Sequence, residues 1–150
     1  MTIAIDFDGT IVEHAYPKIG RDIPFAVETI KRLQETGEHR LILWTVREGS
    51  LLDEAVEYCT KKGLKFYAIN KNYPEEEEGS YSSRKLAADL FIDDRNLGGI
   101  PDWGVIYSMI KSNSLYNFDE LSEFNQGKNQ KKKNFFIRLG ESIDKAKKTY

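Results

Sequence analysis

Cysteine and histidine are the scarcest chemistry in this chain: one cysteine, Cys59, and two histidines, His14 and His39. A single cysteine excludes an internal disulfide and a cysteine-based zinc cluster. Two histidines argue against a histidine-rich metal site, so any bound metal is expected to have oxygen ligands. Long apolar stretches are missing too, and no run approaches the roughly 18 residues of a membrane-spanning helix. The opening Met1-Thr2-Ile3-Ala4-Ile5-Asp6 carries no basic stretch, so no signal peptide is expected. A reduced, cytoplasmic protein is the resulting expectation.

What is present is ordinary in amount and uneven in placement. The 150 residues are 40% hydrophobic and 31% charged, enough for one domain with a sizeable core. The net charge of -2 conceals a division: residues 128–150 hold eight bases and two acids, and residues 1–127 hold 14 bases and 22 acids. An acidic body with a basic tail speaks of partners or self-association rather than of fold.

Four short apolar runs each stop at a polar residue. Ile3-Ala4-Ile5 ends at Asp6, Leu41-Ile42-Leu43-Trp44 at Thr45, Phe66-Tyr67-Ala68-Ile69 at Asn70, and Leu90-Phe91-Ile92 at Asp93. Unbroken runs of this length fit strands buried on both faces, as in parallel sheets. Helical spacing lies between them. Ala26, Val27, Ile30 and Leu33 share a face before Gly37; Leu52, Ala55, Val56 and Cys59 share another, with Ser50 as cap and Gly63 as stop. Val105, Ile106, Met109 and Ile110 suggest a helix after Asp102, although Val105-Ile106-Tyr107 also reads as a strand. The alternation implies an α/β fold, a Rossmann-like open parallel sheet with helices on both faces. Residues 70–83 read as a long loop whose Glu75–Glu78 run is a solvated surface. The domain is expected over residues 1–112, followed by a polar and then basic extension over 113–150.

Ligands of open α/β sheets bind beyond the carboxyl ends of the strands. Here those ends offer Asp6 and Asp8, Thr45, Asn70, and Asp93 with Asp94. Carboxylates gathered at one edge repel unless a cation sits among them, and Mg²⁺ suits a site that also takes phosphate. Lys85, eight residues before Asp93, can project toward the same edge.

With these residues the chain resembles the haloacid dehalogenase (HAD) superfamily of phosphotransferases. Asp6-Phe7-Asp8-Gly9-Thr10 is similar to its first motif, Thr45 to its second, Lys85 to its third and Asp93-Asp94 to its fourth. Arg84 and Lys71 are neighbouring alternatives for the third. The resemblance covers residues 3–95, and extends through Ile110 to small members without a cap domain. It implies a Mg²⁺-dependent phosphatase in which Asp6 is the nucleophile and Asp8 the general acid and base. Gly9 would bring the backbone close to the phosphate, Thr45 would donate its hydroxyl to a phosphoryl oxygen, and Lys85 would balance charge. Asp93 would hold the metal with the Asp6 carboxylate and the Asp8 backbone carbonyl, and Asp94 would do so directly or through water. Dehalogenases of the superfamily lack the second aspartate, so Asp8 favours phosphate esters.

The intervals between the motifs are too short for a cap with its own core, since chains below about 40 residues rarely hold one unaided. Only Ile11–Asp22 remain for a flap, and the site would be open to a bulky substrate or closed by a partner subunit in a homo-oligomer. On the flap, Tyr16 and Lys18 could meet a leaving group, and His14 reads as a surface residue. Arg47 either clamps a second anionic group or forms a surface ion pair. Two rival functions remain: a receiver-like phosphate-accepting module and a HAD-like binding protein without catalysis. A receiver places its acidic pair after the first strand and its acceptor aspartate after the third, where this chain has Asn70. The substrate, a phosphorylated small molecule or macromolecule, stays open. In the tail, Lys131-Lys132-Lys133 beside Phe135-Phe136-Ile137 suits an anionic surface. Nucleic acid, an acidic neighbouring subunit or plain solvation fits the same composition.

Overall fold

The computed structural model describes residues 1–77 and 85–112. The four apolar runs yield four strands, β1 (Thr2–Ile5), β2 (Arg40–Leu43), β3 (Ala68–Ile69) and β4 (Leu90–Ile92). They alternate with helices α1 (Ala26–Glu35), α2 (Gly49–Lys61) and α3 (Trp103–Ser112). Every pairing is parallel, in the spatial order β3-β2-β1-β4. This is the α/β, Rossmann-like architecture that the alternation implied. The ambiguous segment Val105-Ile106-Tyr107 is helical. Trp44 lies past the end of β2, and Phe66 and Tyr67 precede β3. By contact the chain divides into a unit Met1–Ser108 and a second unit from Met109 onward. The basic extension and Arg84 lie outside the described residues.

Ile3, Ala4, Ile5, Leu41, Ile42 and Leu43 are all buried, as unbroken apolar strands require. Side chains alternate across the sheet. Ala4, Ile42 and Ala68 form one face with Leu86, against which Trp44, Ala88 and Phe91 pack. Their strand neighbours Ile3, Ile5, Leu41 and Leu43 project to the other face and are equally buried. Both faces are therefore covered.

Helix α1 buries the expected stripe Ala26, Val27, Ile30 and Leu33. Gly37 follows with φ 67, and its N–H bonds the Gln34 carbonyl. The start of α2 differs from expectation. Ser50 is inside the helix rather than capping it, and Glu48 precedes it in extended conformation without a side-chain cap.

The run Glu75–Glu78 is not a uniformly solvated surface, because Glu76 is buried. Its carboxylate accepts the Asn72 backbone N–H at 2.5 Å and the Asn72 side-chain amide at 2.9 Å. The Asn72 amide oxygen in turn accepts the Ala87 N–H at 2.7 Å. A hydrogen-bonded carboxylate thus ties the loop after β3 to the segment entering β4, which the local charge pattern concealed.

Between β1 and α1 the chain forms a flap. Ile11 and Val12 donate their N–H groups to the Phe7 carbonyl, and Glu13 N–H bonds Arg21 O at 2.8 Å. Ile23 N–H closes the base on Ile11 O at 2.9 Å. Phe7, Ile11 and Val12 are fully buried beneath it. Among the described residues no element remains that would build a cap, and no helix is long and apolar enough to cross a membrane.

Trp103, at the start of α3, is buried and donates its indole N–H to the Thr10 carbonyl at 3.1 Å. Replacing it by Phe keeps an aromatic ring but leaves that buried carbonyl short of a donor. Trp103→Phe is expected to lower stability by about 1–3 kcal/mol. Urea denaturation at neutral pH measures this, and an unchanged midpoint would show that the bond contributes nothing.

Candidate active site

In the order β3-β2-β1-β4 the chain leaves β1 for β2 on one side, while β4 lies on the other. The carboxyl end of β1 is therefore the topological switch point, where open α/β sheets bind ligands. Ile5 is in register with Leu43 and with Ile92, and Leu43 with Ile69. One residue further along each strand come Asp6, Trp44, Asp93 and Asn70. Asp6 N–H bonds Ile92 O at 3.0 Å, so Asp6 and Asp93 sit side by side.

Asp6, Asp93 and Asp94 each bring a carboxylate oxygen within 4.8 Å of the others. Burial, aided by the charges of Asp93 and Asp94, pushes the Asp6 carboxyl from 3.8 up to about 6, against the lowering effect of its hydrogen bonds with Phe7 N–H and the Thr10 hydroxyl. Thr10 is fully buried and joins two motifs. Its hydroxyl donates to Asp6 Oδ2 at 3.1 Å and accepts the Asp94 N–H at 3.2 Å. Asp93 Oδ1 accepts the Arg95 N–H at 2.8 Å in a tight turn. Asp94 Oδ2 meets His14 Nε2 at 2.8 Å, while its Oδ1 is buried with no hydrogen-bond partner. An orphaned carboxylate oxygen in a crowd of three carboxylates fits a hard cation, and the all-oxygen donor set suits Mg²⁺.

Asp8 is not part of that cluster. Its carboxylate is buried and takes both ends of a fork from Arg47, Nε to Oδ2 and Nη2 to Oδ1, each at 2.7 Å. Arg47 is therefore neither on the surface nor turned toward a second anion. It is completely buried, and Pro17 O and Lys18 O on the flap accept two more of its N–H groups at 2.9 Å. Four of the five guanidinium N–H groups are engaged. The exposed ion pair or anion clamp expected of Arg47 is corrected to an internal ion pair with Asp8.

Thr45 is buried beside this pair. Asn70 holds it by two bonds, accepting the Thr45 N–H at 2.8 Å and donating its amide to Thr45 O at 2.9 Å. Asn70 has φ 52, a left-handed conformation that asparagine tolerates. Arg47 N–H donates to Thr45 Oγ at 3.2 Å, leaving the hydroxyl proton free to point elsewhere. Gly9 has φ 95, and a Cβ there would lie 2.5 Å from both Asp94 Oδ2 and His14 Nε2. Its small size thus makes room for the contact between His14 on the flap and Asp94. Lys85 is exposed at the start of the segment leading to β4. The charges that act most on Asp6 are Asp93 and Asp94.

The structure thus gathers Asp6, Asp93 and Asp94 and sets the Asp8–Arg47 pair and Thr45 in the loops that follow β1 and β2. Sequence reasoning missed His14 as a contact of Asp94, Thr10 as the bridge between Asp6 and Asp94, and Asn70 as the clamp on Thr45. Thr10 and Asn70 stood in the quoted motifs, but the lone His14 carried no signal of its own.

No protein-family model and no curated protein matches this chain. It is similar to a solved structure described as the structure of a conserved protein coded by a locus from Bacteroides thetaiotaomicron. The two are 72% identical, the match covers 75% of this chain and 91% of the other, and the TM-score is 0.71. The chain belongs to the family of that conserved protein.

The raised pKa of Asp6 fixes a sign for stability. A carboxyl whose folded pKa lies above its unfolded value favours folding while protonated, and that contribution is lost as pH rises from about 4 through about 6. In chelator at pH 7.5, Asp6→Asn is therefore expected to melt about 3 °C or more above the parent, with the gap clearly narrower at pH 4.5. Thermal melts of both proteins at both pH values measure this. A variant less stable than the parent at pH 7.5 would contradict the crowding of charge.

Proposed function

We propose that this member of the family is a Mg²⁺-dependent, HAD-type phosphatase that hydrolyses phosphate monoesters through an aspartyl-phosphate on Asp6. The observation that carries the reading is the half-buried Asp6 at the switch point, beside two further carboxylates and an orphaned oxygen of Asp94. The resemblance of Asp6–Thr10, Thr45, Lys85 and Asp93-Asp94 to the four HAD motifs supplies the chemistry.

Asp6, Asp93 and Asp94 would hold the cation, with the Asp8 backbone carbonyl as a further oxygen ligand. When bound, Mg²⁺ neutralises charge on the carboxylates and on the phosphate. Asp6 Oδ then attacks phosphorus, and the bond to the leaving oxygen breaks. Thr10, donating to Asp6 Oδ2, fixes the rotation of that carboxylate. Thr45 offers its hydroxyl proton to a phosphoryl oxygen, and Lys85 balances charge there. Asp8 gives a proton to the leaving oxygen, then takes one from the water that attacks the phosphorus of the aspartyl-phosphate. Arg47 uses one lone pair of each Asp8 oxygen, so the travelling proton occupies a remaining one. The products are an alcohol and inorganic phosphate, and Asp6 is restored.

The substrate is a phosphorylated small molecule or a phosphorylated macromolecule. Exposed Tyr16 stacks over Arg47 at 5.3 Å, and exposed Val46 precedes Arg47 in the chain. The Tyr16 ring therefore lies on the partner of Asp8, where a leaving group would approach.

A panel of phosphate esters assayed with Mg²⁺ tests the proposal. Turnover by the parent, and loss of at least about a thousandfold in Asp6→Asn, is expected. Comparable turnover in Asp6→Asn, or undiminished turnover in chelator, would overturn it. Asp93→Ala and Asp94→Ala are each expected to weaken Mg²⁺ binding, the first more strongly, as read by calorimetric titration.

A further inference from the structure

Arg47 touches three things that lie far from it in sequence. They are Asp8 in the first motif, the Phe7 ring beneath it at 5.2 Å, and the flap tip, through Pro17 O, Lys18 O and the Tyr16 ring. Arg47 is fully buried, and both rings lie against its guanidinium. A buried charge is tolerable only while its partners surround it, and losing one leaves the rest uncompensated. The three contacts therefore stand or fall together.

The rest of the flap is anchored elsewhere. Arg21 forks onto Glu13 within the flap itself, at 2.9 and 3.1 Å. Asp22 at its base is held by Tyr58 of α2 and by Lys62 just past its end. His14 meets Asp94. A Cβ at Gly20 would overlap the Glu13 carbonyl, so the two flap arms lie in direct backbone contact. Among the described contacts, the tip at Pro17 and Lys18 is held by Arg47.

We propose that Arg47 is a positioning residue that couples the flap tip to Asp8, so that Asp8 is in place only while the tip is down over it. The catalytic consequence rests on the phosphatase reading; the coupling does not. A flap that lifts for substrate or product pulls Pro17 and Lys18 from Arg47, and Arg47 then no longer fixes the Asp8 carboxylate. When the flap returns, both oxygens of Asp8 are set again by a fork that a point-charge lysine cannot reproduce. Access to the site and alignment of its acid/base group become one event.

Tryptic cleavage after Lys18 reads the tip without any assay of turnover, and cleavage after exposed Lys65 serves as an internal reference. Asp8→Asn and Arg47→Lys are each expected to speed cleavage after Lys18 by about tenfold, with Lys65 unchanged and the double variant no faster than either single one. An unchanged Lys18 rate in Asp8→Asn, or effects that multiply in the double variant, would overturn the coupling. Faster cleavage at every site in both variants would overturn it as well, because the pair would then hold the fold and not the flap. If Arg47→Lys alone unfolds, the Lys18 rate of Asp8→Asn decides. With an aryl phosphate as substrate, Arg47→Lys is expected to lower kcat about tenfold with KM nearly constant, and to add nothing on an Asp8→Asn background. A parent without turnover would sink the phosphatase reading and leave the proteolysis to judge the coupling.

Discussion

The parallel register of β1 with β4 places two chain segments, separated by most of the domain, at the same point of the sheet edge. Because Ile5 pairs with Ile92, Asp6 and Asp93 must follow side by side. Asp94 comes next, drawn in through the Thr10 hydroxyl. Three carboxylates then share a half-buried space, and the Asp6 carboxyl rises to about 6. Such crowding is unfavourable for folding near neutral pH. It is the kind of local conflict that survives where a site needs it. A cation among the three would offset the repulsion and satisfy Asp94 Oδ1 at once.

Around that centre the acids have divided roles. Asp8 is two residues from Asp6, yet its carboxylate is held on another side by Arg47, away from the crowd. The same loop thus carries one carboxylate set among acids and one neutralised by a base. Flap, β1 and the end of β2 meet at Arg47, so the geometry of Asp8 depends on segments drawn from three parts of the chain.

Much of this was legible in the residues. Apolar runs ending in Asp6, Thr45, Asn70 and Asp93 revealed both the strands and the edge where their ends meet, because a parallel sheet buries each strand on both faces. Long-range side-chain partnerships were not legible. Nothing local distinguishes Arg47 from a surface arginine, since its burial comes from flap carbonyls 29 and 30 residues away. Glu76 looked like one of four solvated glutamates, and only the Asn72 and Ala87 contacts reveal why it is buried. His14 pairs with a residue 80 positions later, a contact that requires the missing side chain of Gly9. The start of α2 also escaped the pattern, because Ser50 has the composition of a cap without its position.

The central claim is that Asp6 is the atom donor to phosphorus in a cation-dependent cycle. Chemical trapping tests it most directly. The protein would be mixed with Mg²⁺ and a phosphate ester, quenched in borohydride during turnover, digested, and its peptides weighed. The account predicts reduction of one side chain, Asp6 to homoserine, only when both Mg²⁺ and ester are present. Turnover with Asp6 unmodified, or reduction at another carboxylate instead, would contradict it.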